Sequence, residues 1–357
     1  MMLNLLLGLR LNPLLLGLTV LIAGVVAGFG ARSDSEDETS PAQFLNVVAP
    51  EYIPPEDVQI CRDLEYARPN GQPLCLDLYR PRDIAGPLPV VVWIHGGGWR
   101  SGSKASPAAA ELVPQGYAVA SIDYRLSDQA LFPAQLEDCQ AAVRWLRTHA
   151  ARFQLDAQRI AAWGIASGGH LAALLGTMSR RQARTDTGEV SADVQAVVDF
   201  GGPVDFLLLD EQSASRNEAQ HNAPWSPESL LVGGPLQERL ELVALTNPLT
   251  YLQSHRAPPP FLVLHGRNDP LVPLAQSELL VQALRRSGGH VEFRRDDDAG
   301  FSDLIAPEQL DLVTDFLRRR LRPDVESKAR PEPDRVANRP WPRRYRAREI
   351  PGSRPPL

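Results

Sequence analysis

Cysteine is scarce in this chain. The three present, Cys61, Cys75 and Cys139 among 357 residues, show no metal-ligand spacing, so neither a zinc module nor a disulfide-built scaffold is expected. No cluster of His, Cys, Asp and Glu has metal spacing either. No GxxxxGK[ST] run is present, which leaves no phosphate-cradling loop of that type. No cofactor is expected. Charge of one sign is lacking as well: the formal net charge is −6, which argues against a nucleic-acid partner. Internal repeats are absent. What remains is an ordinary globular composition, 43% hydrophobic and 22% charged. The length suits one large α/β domain plus extra segments.

Long hydrophobic runs are missing too, with one exception. Leu14–Gly30 (LLLGLTVLIAGVVAGFG) carries no charge and follows Arg10. It fits the apolar stretch of a signal peptide or a short membrane anchor, and both readings stay open. Its reach, at about 1.5 Å per residue, is roughly 25 Å, marginal for a bilayer. Residues 1–31 are set apart on that basis, and the polar run Ser33–Ser40 opens a linker over 32–55. Export is expected either way, to the periplasm or cell envelope or as a secreted protein. From Arg322 the chain is rich in Pro and Arg without apolar periodicity, so 322–357 reads as a disordered tail. Trp341 and Tyr345 stand among its basic residues. A solvated tail and a contact with acidic or lipid surfaces are its two readings.

Residues 56–321 read as one domain. Val58–Tyr66 and Leu74–Tyr79 alternate apolar and polar around the turn Pro69-Asn70-Gly71, a hairpin signal. Cys61 and Cys75 flank it, either as free thiols or as a pair in an oxidising compartment. Strands are expected at Val90–Ile94, Ala118–Asp123, Ile160–Trp163, Val194–Phe200, Phe261–His265 and Val291–Arg295. Helices are expected at Pro107–Gln115, Ala134–Ala150, Gly169–Met178, Leu274–Arg286 and Glu308–Leu321. Such alternation predicts a mostly parallel sheet with helices on both faces and the hairpin as an antiparallel edge. The stretch 201–260 is longer than a connection needs. Its polar part, Asp210–Ser226, reads as loop. It is either a cap above the carboxyl ends of the strands or a plain surface excursion.

Four motifs fall at strand carboxyl ends. His95-Gly96-Gly97-Gly98-Trp99 follows the strand Val90–Ile94; its glycines let the backbone approach a ligand and aim N–H groups at it. Trp163-Gly164-Ile165-Ala166-Ser167-Gly168-Gly169-His170 lies between a strand and a helix, where a G-x-S-x-G nucleophile elbow belongs. Its glycines fit, yet the central residue is Ala166. His265-Gly266-Arg267-Asn268-Asp269-Pro270-Leu271-Val272-Pro273 places Asp269 where an acid would orient a histidine. Asp296-Asp297-Asp298-Ala299-Gly300-Phe301, after the last strand, is where that histidine is expected, and none is present. His290 lies at the opposite end of that strand and reads as a surface residue.

Together these strings resemble the HGGG-bearing esterase/lipase branch of the α/β hydrolases, close to feruloyl-esterase-like and hormone-sensitive-lipase-like members. The resemblance covers roughly residues 58–321 and extends to Ser121-Ile122-Asp123-Tyr124-Arg125-Leu126, Phe132-Pro133-Ala134-Gln135-Leu136-Glu137-Asp138 and Asn247-Pro248-Leu249-Thr250-Tyr251. It implies an α/β-hydrolase fold. It also implies that Gly96, Gly97 and Gly98, with the backbone N–H of Ser167, form the oxyanion hole, and that Asp269 is the acid. The family serine falls on Ala166. The family histidine falls on Phe301, or on Ala299 if the alignment shifts. His95, His170 and Asp138 are implied to be structural.

A methyl group cannot attack an ester, and an imidazole-free loop cannot accept the proton. Losing either member of such a triad costs about 10⁶ in turnover, and the two losses do not add. Ser167, one residue past the apex, lacks an evident base. The expected function is that of an impaired hydrolase, or pseudoenzyme, that keeps a pocket for a small-molecule ester or acyl ligand. Two alternatives stay open. One is an active carboxylic-ester hydrolase whose serine is altered in this copy. The other is an envelope-tethered interaction protein that uses its N-terminal segment and basic tail.

Overall fold

The structure is a computed structural model that describes residues 54–84, 86–105, 107–178, 190–213, 220–252, 257–297 and 307–322. The N-terminal apolar run, almost all of the linker, the residues Ala299 and Phe301, and the tail beyond Arg322 lie outside the described residues.

Eight strands form one sheet: β1 (Val58–Ala67), β2 (Leu74–Pro81), β3 (Leu88–Ile94), β4 (Ala118–Ile122), β5 (Leu155–Ile165), β6 (Ala196–Phe200), β7 (Phe261–Gly266) and β8 (Val291–Asp296). Their spatial order is β1-β2-β4-β3-β5-β6-β7-β8. The β1–β2 and β2–β4 pairs are antiparallel, and every later pair is parallel. This is the α/β-hydrolase fold expected from the alternating pattern. The central strands carry runs such as LPVVVWI, buried throughout, because both faces of a parallel sheet are covered.

Alternate residues of each strand feed opposite layers. Val90, Val92 and Ile94 join one core, with Ile160, Ala162, Val197 and Val263. Helices α1 (Ala134–Thr148), α3 (Ser167–Met178) and α7 (Leu274–Arg286) cover it; the single turn α2 (Ala150–Phe153) follows α1. Val91, Trp93, Ala161, Trp163, Val198 and Phe200 enter the second core, closed by helix α8 (Pro307–Leu321) through Val313, Phe316 and Leu317. Trp163 sits at its centre, edge-on to Trp93 and to Phe200, with ring centroids 5.3 Å apart in each pair.

One local expectation changes, one open alternative is decided, and one feature is added. The run expected as a helix over Pro107–Gln115 is a 3-10 stretch, Ala108–Gln115, with Pro114 inside it and Gly116 ending it at φ +87°. Proline removes the amide an α-helix needs there. Cys61 and Cys75 are both free. Cys61 stands opposite Leu78 and Cys75 opposite Glu65, so the hairpin register separates them. Strand β1 is also bulged. Asp63 adopts φ +53° and its N–H donates to the buried Asp77 carboxylate at 2.8 Å. Lys104 then bridges Asp63 and Asp77 at 2.8 and 2.9 Å, while its own N–H donates to Asp123 at 2.8 Å. This network ties the edge hairpin to the segment that follows the glycine-rich loop.

Trp163→Ala should lower stability by about 3–5 kcal/mol, the cost of emptying a large core site. Urea unfolding followed by far-UV circular dichroism measures it.

Candidate functional site

The turn from β5 into α3 is tight. Ala166 sits at its apex with φ +50°, a left-handed conformation that disfavours any residue with a Cβ. Its N–H donates to the Phe200 carbonyl at 2.8 Å, and its carbonyl accepts from the His170 N–H at 2.9 Å. The flanking glycines are required by contact. A Cβ on Gly164 would lie 2.0 Å from the Gly168 carbonyl oxygen, and one on Gly168 would lie 2.1 Å from the Ile94 oxygen. The Gly164–Ala166–Gly168 frame is therefore a tight strand-to-helix turn of the elbow type with alanine at its apex.

The glycine-rich loop lies directly against this apex. A Cβ on Gly96 would come 2.9 Å from the Ile165 oxygen and 3.6 Å from the Ala166 Cβ. Gly97, Gly98 and Trp99 all take positive φ, +114°, +60° and +56°. The loop's outer turn closes on itself, with the Gly97 carbonyl accepting from the Arg100 and Ser101 amides, both at 3.1 Å. Gly96, Gly97, Gly98 and Ala166 are half-buried. By contrast, Ser167 is 2% exposed, and its hydroxyl stands beside that of Tyr124. The serine next to the apex therefore faces the interior instead of the cleft.

Histidines surround the site, yet those described serve as structural bolts. The His95 Nδ1 lies 2.7 Å from the Gly96 carbonyl, and its ring stacks on Tyr124 at 4.2 Å. Tyr124 in turn donates to the His95 carbonyl at 3.0 Å. The His170 Nε2 lies 2.7 Å from the Thr246 carbonyl, with Trp99 edge-on at 5.2 Å. A carbonyl only accepts, so each of these nitrogens carries the proton. Burial lowers the pKa of both rings to about 4. His265 is fully buried, its Nε2 2.9 Å from the Val272 carbonyl and its Nδ1 2.7 Å from the Ser277 hydroxyl. Exposed His290 meets Arg320 at the far end of β8. Asp138 holds Arg125 through both carboxylate oxygens.

Asp269 lies in the loop after β7, 3% exposed. Its Oδ1 accepts from the Leu271 and Val272 amides at 2.8 and 2.9 Å, and its Oδ2 is 3.6 Å from the His265 Nε2. The two hydrogen bonds set the turn that the Asp-Pro string predicts. Phe301, the position assigned to the histidine, lies outside the described residues.

The insertion after β6 comprises α4 (Leu209–Gln212), α5 (Pro227–Val232) and α6 (Leu240–Thr246), with 3-10 turns between. It docks on the loops around the carboxyl ends of the strands. Phe206 meets the rings of Trp99 and His170 at 5.4 and 5.3 Å. The Gln276 side chain accepts from the Val204 and Asp205 amides, both at 2.7 Å. The Leu231 carbonyl accepts from the Phe132 amide at 2.9 Å. The composition of Asp210–Ser226 predicts polar loop. Its described part instead contains buried His221, Ala223 and Ser226. The capping signature Ser226-Pro227-Glu228 was the available clue, since Ser226 accepts from the Ser229 amide at 3.0 Å. Asp199, on β6, was also missed. It is buried, its Oδ1 accepts from the Gly202 amide at 2.9 Å, and burial raises its pKa to about 6. Among the described residues no group of three or more His, Cys, Asp or Glu could hold a metal.

Comparison with known proteins identifies relatives of this chain and of its fold. The sequence profile of the BD-FAE family matches residues 76–284. The chain is 33% identical over 230 residues to the probable carboxylic ester hydrolase LipM of Mycobacterium tuberculosis, covering 62% of this chain and 50% of that protein. It is 32% identical over 233 residues to the esterase LipQ of the same organism, covering 63% of this chain and 53% of that protein. The chain thus spans about half the length of these curated relatives. A solved truncated carbohydrate esterase from gut microbiota superposes with a TM-score of 0.66 at 28% identity, covering 75% of this chain and 98% of that one.

Two outcomes follow from the geometry. Ala166→Gly should raise stability by about 0.5–1 kcal/mol, because glycine bears the positive φ without a Cβ penalty; chemical denaturation reads it. Acidification should destabilise the fold. His95 and His170 stay neutral in the native state down to about pH 4 but charge in the unfolded chain below 6.5, so their contribution is full above 6.5 and lost as pH falls toward 4. Asp199, protonated in the native state below about 6, returns part of that loss. The urea midpoint should fall from pH 6.5 to 4, and imidazole NMR signals of both rings should not titrate until about pH 4.

Proposed function

Because the chain belongs to the BD-FAE family, within the carboxylic-ester-hydrolase branch of the α/β hydrolases, we propose that it is a silenced esterase that retains an ester- or acyl-binding cleft. The observation that carries this reading is Ala166 at the elbow apex, strained at φ +50° between two contact-required glycines. The turn keeps a costly shape and lacks the atom that the shape presents. Gly96, Gly97, Gly98 and the Ser167 amide would polarise a ligand carbonyl, and Asp269 would orient a base if one were supplied. With Phe301 at the base position, neither the attacking hydroxyl nor its proton acceptor is available.

Binding and chemistry are separable in this fold. Interactions made equally with ground and transition states give affinity without turnover. A pocket without a nucleophile therefore acts as a receptor for the ester or acyl group that an active relative would cleave. The likeness to a carbohydrate esterase points to a sugar-linked ester as one such ligand. The apolar N-terminal run would hold the domain at the cell envelope, or direct its export. The retained strain at Ala166 favours a second reading as well, an esterase whose serine has been replaced in this copy.

The purified protein should turn over p-nitrophenyl acetate no faster than buffer, and a fluorophosphonate probe should label no serine. Ala166→Ser with Phe301→His should gain esterase activity, while Ala166→Ser alone should gain little, since loss of the base by itself costs about 10⁶. Full turnover from Ala166→Ser alone would favour the second reading. Turnover by the unaltered protein that Ser167→Ala abolishes would overturn the first.

A further inference from the structure

Lys104 closes the glycine-rich loop, and carboxylates hold it by both side chain and backbone. Its ammonium lies 2.9 Å from Asp77 and 2.8 Å from Asp63. Its backbone N–H donates to Asp123 at 2.8 Å. Asp77, on β2, is 1% exposed and also accepts from the Asp63 N–H at 2.8 Å. A carboxylate so buried is costly unless it is paired. Burial works against the lysine charge as well, yet Asp63 and Asp77 hold its pKa above the ordinary lysine value. Lys104 is therefore charged at neutral pH.

Two routes lead from this clamp to the cleft. Gly102 stands two residues before Lys104, at φ +95°. A Cβ there would lie 2.4 Å from the His95 Nδ1 and 2.5 Å from the Gly96 carbonyl oxygen. The outgoing arm of the loop thus rests on its incoming arm. On the second route, Tyr124 follows Asp123. Its ring stacks on His95 at 4.2 Å and its hydroxyl donates to the His95 carbonyl at 3.0 Å. Both routes meet at the start of the loop, and Gly96 lies against Ile165 and Ala166.

A run of three glycines is conformationally loose, so the placement of its N–H groups depends on what holds its two ends. Strand β3 holds one end. We propose that Lys104, clamped by Asp77 and Asp123, is a positioning residue that holds the other and so sets where the Gly96–Gly98 amides stand beside Ala166. The consequence for a ligand rests on the cleft being an ester site; the clamp on the loop does not.

Hydrogen exchange on the full chain tests the clamp. Lys104→Met keeps the stem and removes the charge. In it the amides of Arg100, Ser101 and Ser127 should exchange about tenfold faster, the equivalent of one hydrogen bond. Amides of β7 should not change. Asp77→Asn should do the same, and the double variant should do no more than either, because each acts through the other. Gly102→Ala keeps the ion pair but drives a methyl group into His95 and Gly96, and it should loosen the same amides. Any one of these variants suffices if the others fail to fold. Unchanged exchange in the folded variants, or losses that add in the double variant, would overturn the proposal.

The carbonyl stretch of methyl ferulate, isotope-labelled at the ester carbon, gives a readout that a merely structural role would not move. On the unaltered protein it should shift to lower frequency, because the loop amides polarise the carbonyl. In Lys104→Met the shift should shrink and the affinity should fall about tenfold. A full shift in a variant whose loop amides are loosened would contradict the positioning role. If the ester does not bind the unaltered protein but the loop amides are loosened in the variants, the cleft reading fails and the clamp stands. If the ester binds with a shifted carbonyl and the variants exchange like the unaltered protein, the clamp fails and the cleft reading stands.

Discussion

Everything at the candidate site depends on one backbone contact, where Gly168 meets the ends of β3. The space at its Cα is closed by the Ile94 and His95 carbonyls, 2.1 and 2.5 Å from where a Cβ would stand. Three elements converge there: the end of β3 with its glycine-rich loop, the end of β5, and the start of α3. Their convergence forces the reversal at Ala166 and brings the loop at Gly96 against the apex. The glycine-rich loop and the elbow are therefore one geometrical object. That object is built from backbone and glycine, so it survives a change in the apex side chain. Serine and alanine differ by one oxygen, and both bear about the same left-handed strain, on the order of 1 kcal/mol.

Around this object the buried polar groups act as fasteners. His95 closes on its own loop, His170 reaches from α3 to the Thr246 carbonyl, and His265 pins the acid loop through Val272 and Ser277. Each ring is buried and meets a backbone carbonyl, which keeps the cost of burying a polar group low. His221 differs because its partner is a carboxylate.

The separation of scaffold from reagent explains how family membership and proposed silence fit together. Membership rests on long apolar strands, contact glycines and capped turns, which are selected for folding and for shaping the cleft. Turnover in this fold rests on a hydroxyl and an imidazole, two side chains that a backbone-built scaffold does not itself require. Loop residues carry chemistry, and rigid elements carry stability. The proposed receptor role requires the first set of residues and not the second.

The amino-acid sequence by itself determined the sheet, the position of the elbow and the identity of its apex residue. Buried strands write continuous apolar runs, contact glycines stand at fixed offsets, and both signals are local along the chain. The sequence also carried the Asp269 turn, since an Asp that caps amides two and three residues on is a short-range device. Only the tertiary structure decided that Ser167 faces Tyr124 instead of the cleft, that Asp199 is buried beneath Gly202, and that Cys61 and Cys75 are out of register. It alone turned part of the polar stretch Asp210–Ser226 into a buried knot around His221. These are outcomes of burial and of contacts between residues far apart in the chain. A polar residue that folding buries against a distant partner looks, in sequence, the same as one that water keeps.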